Sequence, residues 1–178
     1  MALFTGKGDG GTTKAFGCDQ QRISKASELP EALGALDELN AFLGLVKMRA
    51  GDVPRIKDAV RNIQEQLFIV QAEVAGSDKR LAEGAVAAVE TFVNDIEKEI
   101  PPIKSFSLAG GTELSAMLDV ARTLSRRAER RVIAAVEVGA RDLAPETRAY
   151  LNRLSSLLFA LARLANHLAG VAEENPKY

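Results

Sequence analysis

Five arginines between residues 122 and 131 form the densest concentration of charge in the sequence. Arg122, Arg126 and Arg130 recur every four residues, so a helix would place them on one face, and Arg127 and Arg131 would broaden that face. Like charges at this spacing repel each other in an isolated helix. Phosphates or carboxylates facing them would relieve the repulsion, because guanidinium groups bind such anions bidentately. The alternative is a solvated face whose arginines pair with acids of a neighbouring helix, and the sequence leaves both interpretations open.

A second candidate anion site is the glycine- and threonine-rich head of the chain, which reads Gly6-Lys7-Gly8-Asp9-Gly10-Gly11-Thr12-Thr13. It satisfies G-x-G-x-x-G, but no buried strand precedes it, which argues against a dinucleotide-binding fold. Thr12-Thr13 stands where a P-loop needs Lys-[Ser/Thr], so the Walker lysine is missing. Consecutive Gly and Thr backbones can still turn their N–H groups toward an anion, and the hydroxyls add donors. A disordered N-terminal tail is the alternative.

Other polar residues give weaker signals. Asp37 is flanked by small and apolar residues and would need a cationic partner if it were buried, whereas Glu38 is typical of solvated surface. Asn152 interrupts an apolar face, and such an asparagine more often forms an interhelical hydrogen bond than a ligand contact. Gly110-Gly111 stand just before the arginine helix and leave its N-terminus open to an anion.

The chain contains one cysteine, Cys18, and one histidine, His167. A single cysteine excludes an internal disulfide and Cys-rich zinc sites, and a single histidine excludes paired-histidine metal sites. We therefore predict no protein metal site and interpret both residues as structural or surface positions. Mechanisms that depend on a histidine base have little room here.

Composition indicates one soluble domain covering residues 1–178, with a head at 1–29 and a helical body at 30–173. Hydrophobic residues make up 47% of the 178 residues and charged residues 26%. The net charge of -1 argues against general nucleic-acid or membrane-surface binding. No apolar run reaches the roughly 18 residues of a membrane span, and the start of the chain lacks signal-peptide character, so we expect a cytoplasmic protein.

Apolar residues recur at steps of three and four in five segments, which predicts an all-α bundle of about five helices. The predicted boundaries are a first helix from about Pro30, a second from Pro54 to Gly76, a third stopping at Pro101, a fourth from about Thr112 to Glu137, and a fifth opening at Ala144-Pro145. No alternating segment is long enough for a sheet. At most, residues 3–5 form a short extended piece.

Four segments of the chain carry sequence motifs that occur in a fixed order. The head follows T-x-x-G-D-x-G-x-T from Thr5 to Thr13, and Lys25 with residues 31–40 follows K-x5-E-A-x-G-x-x-D-E-L-N. Residues 106–130 resemble F-x-L-P-G-G, with Ala109 at the proline, and contain A-R-T and R-R-A-E-R, and residues 151–155 read L-N-R-L-S. Together they extend from residue 5 to about residue 166, and in this order they resemble the PduO-type ATP:cob(I)alamin adenosyltransferases.

This resemblance implies a five-helix bundle that assembles as a homotrimer with active sites between subunits. It also implies transfer of the 5′-deoxyadenosyl group of ATP, bound with Mg²⁺, to the cobalt of cob(I)alamin with release of triphosphate. The ATP-binding residues that it implies are Thr5, Gly6, Lys7, Gly8, Thr13, Lys25, Arg126, Arg127, Glu129, Arg130 and Asn152.

The resemblance further implies that Asp37 and Arg122 form an intersubunit ion pair and that Phe106 packs beneath the corrin. The expected catalytic set consists of Asp37, Phe106, Arg122 and Arg126. The chain departs from the family pattern where Ala109 replaces a usual proline, Asp119 a common histidine and Ser156 a common aspartate. Ala109 could loosen the Phe106 loop, and the tail after Asn166 is short.

The chemistry agrees with this reading, because cob(I)alamin carries its own nucleophile and the protein needs no Ser, Cys or His to attack. Two rivals stay open. A non-catalytic helical scaffold could use the arginine stripe, which comprises the five arginines between residues 122 and 131, to bind an acidic partner, although it gives no reason for the Gly/Thr head. A kinase or NTPase would need the missing Walker lysine. A cob(II)alamin reductase is an expected partner.

Overall fold

The structure is a computed structural model, and it describes residues 4–14 and 21–178. Within these residues the chain forms the five predicted helices. Their bounds are α1 Glu28–Arg49, α2 Pro54–Ala75, α3 Ala85–Glu99, α4 Glu113–Glu137 and α5 Pro145–Leu168. The interpretation of Cys18 lies outside the described residues.

Local sequence signals explain where the helices start and stop. Pro54 and Pro145 occupy the first turns of α2 and α5, where a missing N–H costs nothing. Thr112 caps α4 by accepting a hydrogen bond from the Ser115 N–H at 3.1 Å. Gly76 ends α2 with a φ of 106°, a left-handed conformation that favours glycine.

The expectation that the chain holds no sheet, and at most a short extended piece at residues 3–5, was wrong. β1 Thr12–Lys14 pairs antiparallel with β2 Arg22–Ser24, with Thr13 opposite Ile23. The Arg22 guanidinium stabilises this ribbon by donating to the Thr12 hydroxyl at 2.8 Å and to the Thr12 carbonyl at 2.7 Å. Three-residue strands leave almost no alternating pattern, which is why the sequence did not reveal them.

In the bundle, α4 packs between α1 and α5, while α3 packs on α5 and α2 on α1. The apolar residues that recur at steps of three and four in α1 and α2 are buried, among them Leu36, Leu43 and Leu67. In α5 the predicted apolar face is buried at Leu154 and Leu158, but its last member, Leu168, is 51% exposed because it ends the helix. Helices α1 and α4 run antiparallel, since Glu31 at the start of α1 meets Arg131 near the end of α4 and Arg49 at the end of α1 meets Glu113 at the start of α4.

A buried carboxylate supplies the cap that α5 lacks. The N-cap residue Ala144 has no side-chain acceptor, and Glu73 of α2, only 2% exposed, accepts from the Ala144 N–H at 2.7 Å and from the Thr147 hydroxyl at 2.5 Å. Arg80 approaches the same carboxylate at 3.4 Å. This contact fixes the start of α5, the helix that carries Asn152.

Candidate functional site

Acids on α1 divide the arginine stripe into paired and unpaired members. Arg127 forms an ion pair with Glu38, and Arg131 forms one with Glu31 at 3.7 Å. Arg126 and Arg130 are exposed and have no ion pair or hydrogen bond with any residue that the structure describes. The interpretation of a face paired with neighbouring acids therefore holds for Arg127 and Arg131, while two guanidinium groups remain available to an anion.

A carboxylate and an amide lie next to these free arginines. Glu129 falls on the same helix face by its spacing of three from Arg126, and its Oε1 accepts from Asn152 Nδ2 of α5 at 3.2 Å. Arg153 holds the other end of that amide by donating to Asn152 Oδ1 at 2.8 Å. The predicted interhelical hydrogen bond of Asn152 is confirmed, and its partner belongs to the predicted ATP set.

Within the head, residues 6–11 form tight turns. The Asp9 N–H donates to the Gly6 carbonyl at 3.2 Å, and the Gly11 N–H donates to the Gly8 carbonyl at 3.1 Å. Gly6 and Gly11 have φ values of 66° and 77°. The Lys25 ammonium group lies against Gly8, where a Cβ atom would come within 3.1 Å of Nζ. Lys25, Gly8 and their neighbours thus form one small basic turn.

The head lies beside the C-terminal end of α4. A cavity of about 370 Å³ is lined on one side by Ile23, Ser27 and Leu29 and on the other by Val138 and Ala140, which follow α4. This end of the bundle also holds the Glu31–Arg131 pair. The head is therefore nearer to Arg130 than to the start of α4.

Phe106 lies at the opposite end of α4, on the connector of residues 100–112. Its side chain is 79% exposed, so within the single chain it does not close the end of the bundle. Buried Asn166 of α5 fixes the end of this connector: Oδ1 accepts from the Thr112 N–H at 2.9 Å, and Nδ2 donates to the Gly110 carbonyl at 2.9 Å. A Cβ at Gly111 would lie 2.5 Å from Asn166 Oδ1, which explains the glycine there.

Sequence reasoning assigned no role to Asn166. The signal that could have found it is the combination of a polar residue on the apolar face of α5 with a Gly-Gly turn that permits close approach. No local pattern joins residues so far apart in the sequence.

Asp119 links this glycine turn to Arg122. Its Oδ2 accepts from the Gly110 N–H at 3.3 Å, and its Oδ1 pairs with Arg122 Nε at 3.2 Å. The Arg122 guanidinium also lies 5.9 Å from the centre of the Phe159 ring. Asp37 is exposed and makes no ion pair with a described residue, so the condition of burial under which it would need a partner is not met in the single chain.

Other features of the described residues lie outside this site. Across residues 4–14 and 21–178, no cluster of three His, Cys, Asp or Glu side chains could hold a metal ion. No helix in the same ranges combines the length and apolarity needed to cross a membrane. A cavity of about 590 Å³ near Tyr150 contains none of the predicted site residues. Burial raises the pKa of the Tyr150 hydroxyl above its ordinary value, so it stays protonated.

The fold is a five-helix bundle, and its Gly/Thr turns and the unpaired Arg126 and Arg130 on α4 make a candidate anion site. The sequence model of a family described as cobalamin adenosyltransferase matches residues 3–165. The chain belongs to the cobalamin adenosyltransferase family.

Named relatives agree with this membership. The chain is 39% identical over 175 residues to the corrinoid adenosyltransferase PduO of Citrobacter freundii, covering 94% of this chain and 50% of that protein. It is 36% identical over 180 residues to the corrinoid adenosyltransferase of Bacillus subtilis (strain 168), covering 97% and 91%. The chain thus spans about half the length of the Citrobacter PduO and nearly all of the Bacillus protein.

Solved structures show the same fold. A phenylalanine-to-histidine variant of the PduO-type ATP:corrinoid adenosyltransferase from Lactobacillus reuteri, complexed with cobalamin and ATP, superposes with a TM-score of 0.90 at 28% identity. The match covers 99% of this chain and 97% of that one. An arginine-to-lysine variant of the Lactobacillus protein, complexed with ATP, gives a TM-score of 0.89 and covers 98% of this chain.

Proposed function

We propose that this protein transfers the 5′-deoxyadenosyl group of ATP to the cobalt of cob(I)alamin, forming adenosylcobalamin and releasing triphosphate. The observation that carries the proposal is the division of the stripe, which leaves Arg126 and Arg130 unpaired beside Glu129 and Asn152 in a member of this family. A scaffold that bound an acidic partner would have no use for the Gly/Thr head.

The proposed reaction makes few chemical demands on the protein. Cobalt(I) supplies the electron pair, a Co–C5′ bond forms, the C5′–O bond breaks, and the triphosphate leaves with that oxygen. The protein must hold C5′ in line with the cobalt and stabilise the negative charge of the leaving group. Arg126 and Arg130 suit the second task, and the Lys25 ammonium group beside Gly8 suits the binding of the phosphates.

Mg²⁺ fits the residues present if the nucleotide supplies most of its ligands. Mg²⁺ usually takes one or two carboxylates, several waters and substrate phosphates. Glu129 offers a half-buried carboxylate next to the free arginines, and its hydrogen bond to Asn152 occupies only Oε1. Mg²⁺ bound there would neutralise part of the triphosphate charge.

The geometry favours an active site shared between subunits. Within one chain the head lies near the C-terminal end of α4, whereas Phe106 lies before its N-terminus. At 1.5 Å per residue, the rise from Thr112 to Arg130 is about 27 Å, too far for one ATP to reach a corrin held at Phe106. A neighbouring copy, as in the homotrimer that the family resemblance implies, would bring the two halves together.

The pairing of Asp37 with Arg122 of a neighbouring subunit gives a testable expectation. Asp37→Ala should weaken assembly or activity, because breaking a pair that becomes buried on assembly costs about 3–5 kcal/mol. The charge swap that combines Asp37→Arg with Arg122→Asp should recover little of the lost assembly or activity by itself. The reason is that the new carboxylate at position 122 would lie one turn from Asp119 and be repelled by it. Adding Asp119→Asn should restore part of the loss, measured as mass by light scattering and as transfer rate. Strict additivity of the Asp37 and Arg122 variants would show that these residues do not meet.

Removing residues 1–13 should abolish ATP binding and leave the helices intact, because Leu29 is the first buried apolar side chain among the described residues. Calorimetry with Mg²⁺ and ATP measures the binding, and far-ultraviolet circular dichroism measures the helix content.

Two point variants test the role of the head more sharply. Gly8→Ala should weaken ATP binding by pushing Lys25 away, whereas Gly10→Ala meets no atom within 4 Å and should change nothing. Equal ATP affinity in the truncated protein would remove the head from the site.

One assay tests the function itself. The protein is incubated with ATP and chemically reduced cobalamin, and the absorbance of adenosylcobalamin is followed together with release of triphosphate. Product formation in a stoichiometric ratio supports the proposal. Absence of both products, with tight binding of an acidic protein or peptide, would favour the scaffold.

The two substrates, cob(I)alamin and ATP, lead to expectations about a partner and about the location of the protein. Cob(I)alamin is a strong reductant, so a one-electron reduction of cob(II)alamin must precede transfer, and a reductase is the partner class we propose. We also propose a cytoplasmic location, because ATP is produced inside the cell.

A further inference from the structure

A buried arginine at the end of α5 joins three parts of the chain. Arg163 is only 7% exposed. Its Nε and Nη2 bind both carboxylate oxygens of Glu173, at 2.6 and 3.2 Å. The same Nη2 donates to the Pro101 carbonyl at 2.7 Å, at the start of the connector that carries Phe106.

The segment that contains Glu173 also binds the connector at Leu108, two residues after Phe106 in the sequence. After α5 the chain reverses at Gly170, whose φ is 68°. The next residue of the segment, Glu174, accepts a hydrogen bond from the Leu108 N–H through its backbone carbonyl at 2.7 Å. Pro101 and Leu108 are therefore both held, one directly by Arg163 and the other through Glu173 and its neighbour.

We propose that Arg163 and Glu173 form a latch that positions Phe106 for the corrinoid substrate. This inference rests on the proposed function. Phe106 itself is 79% exposed and the connector around it has no regular secondary structure, so the connector has few other restraints between Pro101 and Gly110. The Arg163 side chain is 7% exposed and that of Glu173 is 30% exposed, so the pair is half-buried. Its two parallel N–H···O bonds make it directional. Glu173 is a positioning residue here, since it acts through the connector and not on the substrate.

The test compares two neighbouring residues with the same charge. Glu173→Gln removes the ionic partner of Arg163, whereas Glu174→Gln changes an exposed side chain and keeps the backbone carbonyl that binds Leu108. Glu173→Gln should raise the KM for the corrinoid by about tenfold and leave the KM for ATP unchanged, because the misplaced group lies on the corrinoid side. The absorbance of four-coordinate cob(II)alamin, measured with ATP present, should fall in parallel. Glu174→Gln should behave as wild type in each measurement.

A double variant and hydrogen exchange separate positioning from general stability. In a Phe106→Ala background, Glu173→Gln should have no further effect on the cob(II)alamin spectrum, since both act through one side chain. Amide exchange of Leu108 should be faster in Glu173→Gln than in Glu174→Gln. Additive effects, or a lowered Tm with an unchanged corrinoid KM, would overturn the proposal.

Exchange at Leu108 is independent of catalysis, so it also separates failure of the latch from failure of the proposed function. If wild type makes no adenosylcobalamin, the proposed function and the corrinoid role fall together. The exchange data then still decide whether the latch holds the connector.

Discussion

Replacing Arg126 with alanine is expected to reduce deoxyadenosyl transfer by about 10²–10³-fold, the usual cost of removing one donor aimed at developing charge. The bundle should stay folded, because this side chain is exposed and unpaired among the described residues. Its loss also relieves repulsion with Arg122 and Arg130 one turn away on either side. Single-turnover rates with pre-reduced cobalamin measure the effect, and thermal unfolding checks the fold.

A matched control lies on the same helix. Arg131→Ala removes an arginine that is already paired with Glu31, and exposed pairs of this kind contribute only about 0–1 kcal/mol. It should retain transfer within a few-fold of wild type. Arg126→Lys should recover part of the activity, since lysine keeps the charge but loses the bidentate geometry. Near-normal transfer by Arg126→Ala, with unchanged ATP affinity, would contradict a role in leaving-group stabilisation.

Replacing Phe106 with alanine should lower adenosylation that starts from cob(II)alamin by about 100-fold, the scale expected when a reacting group is misplaced. The family resemblance places this ring beneath the corrin, where its bulk would keep a lower axial ligand from the cobalt and so favour reduction. ATP should still bind, and pre-reduced cob(I)alamin should still react at an appreciable rate. Parallel assays with the two oxidation states, with ATP calorimetry, measure these differences.

Stability distinguishes this role from a hydrophobic plug. A plug would lose roughly 3–5 kcal/mol on truncation to alanine, whereas a surface substitution usually changes stability by about 0.5 kcal/mol or less. The exposure of Phe106 predicts the smaller value. Ile103→Ala on the same connector, at a residue 54% exposed, is the control and should affect neither stability nor the cobalt step. A strongly destabilised Phe106→Ala that stays competent per folded molecule would indicate a plug that forms on assembly.

The helices could be predicted from the sequence because their signals are local. Apolar residues at steps of three and four, the prolines at 54 and 145, and the threonine that caps α4 each act within one or two turns. The order of four motifs likewise indicated the family before any contact was known. The head ribbon was missed because strands of three residues carry too little alternation to be distinguished from a loop.

Only the tertiary structure decided which charges are free. The sequence places five arginines on one helix, but the antiparallel packing of α1 brings Glu31 and Glu38 to two of them and leaves Arg126 and Arg130 open. The same holds for Asn166, which reaches back more than fifty residues to the Gly110-Gly111 turn, and for the pair of Arg163 with Glu173. Helix periodicity fixes the face on which a residue lies but not the helix that this face meets. That choice depends on how the apolar seams pack over long sequence separations, so it follows from the folded chain as a whole.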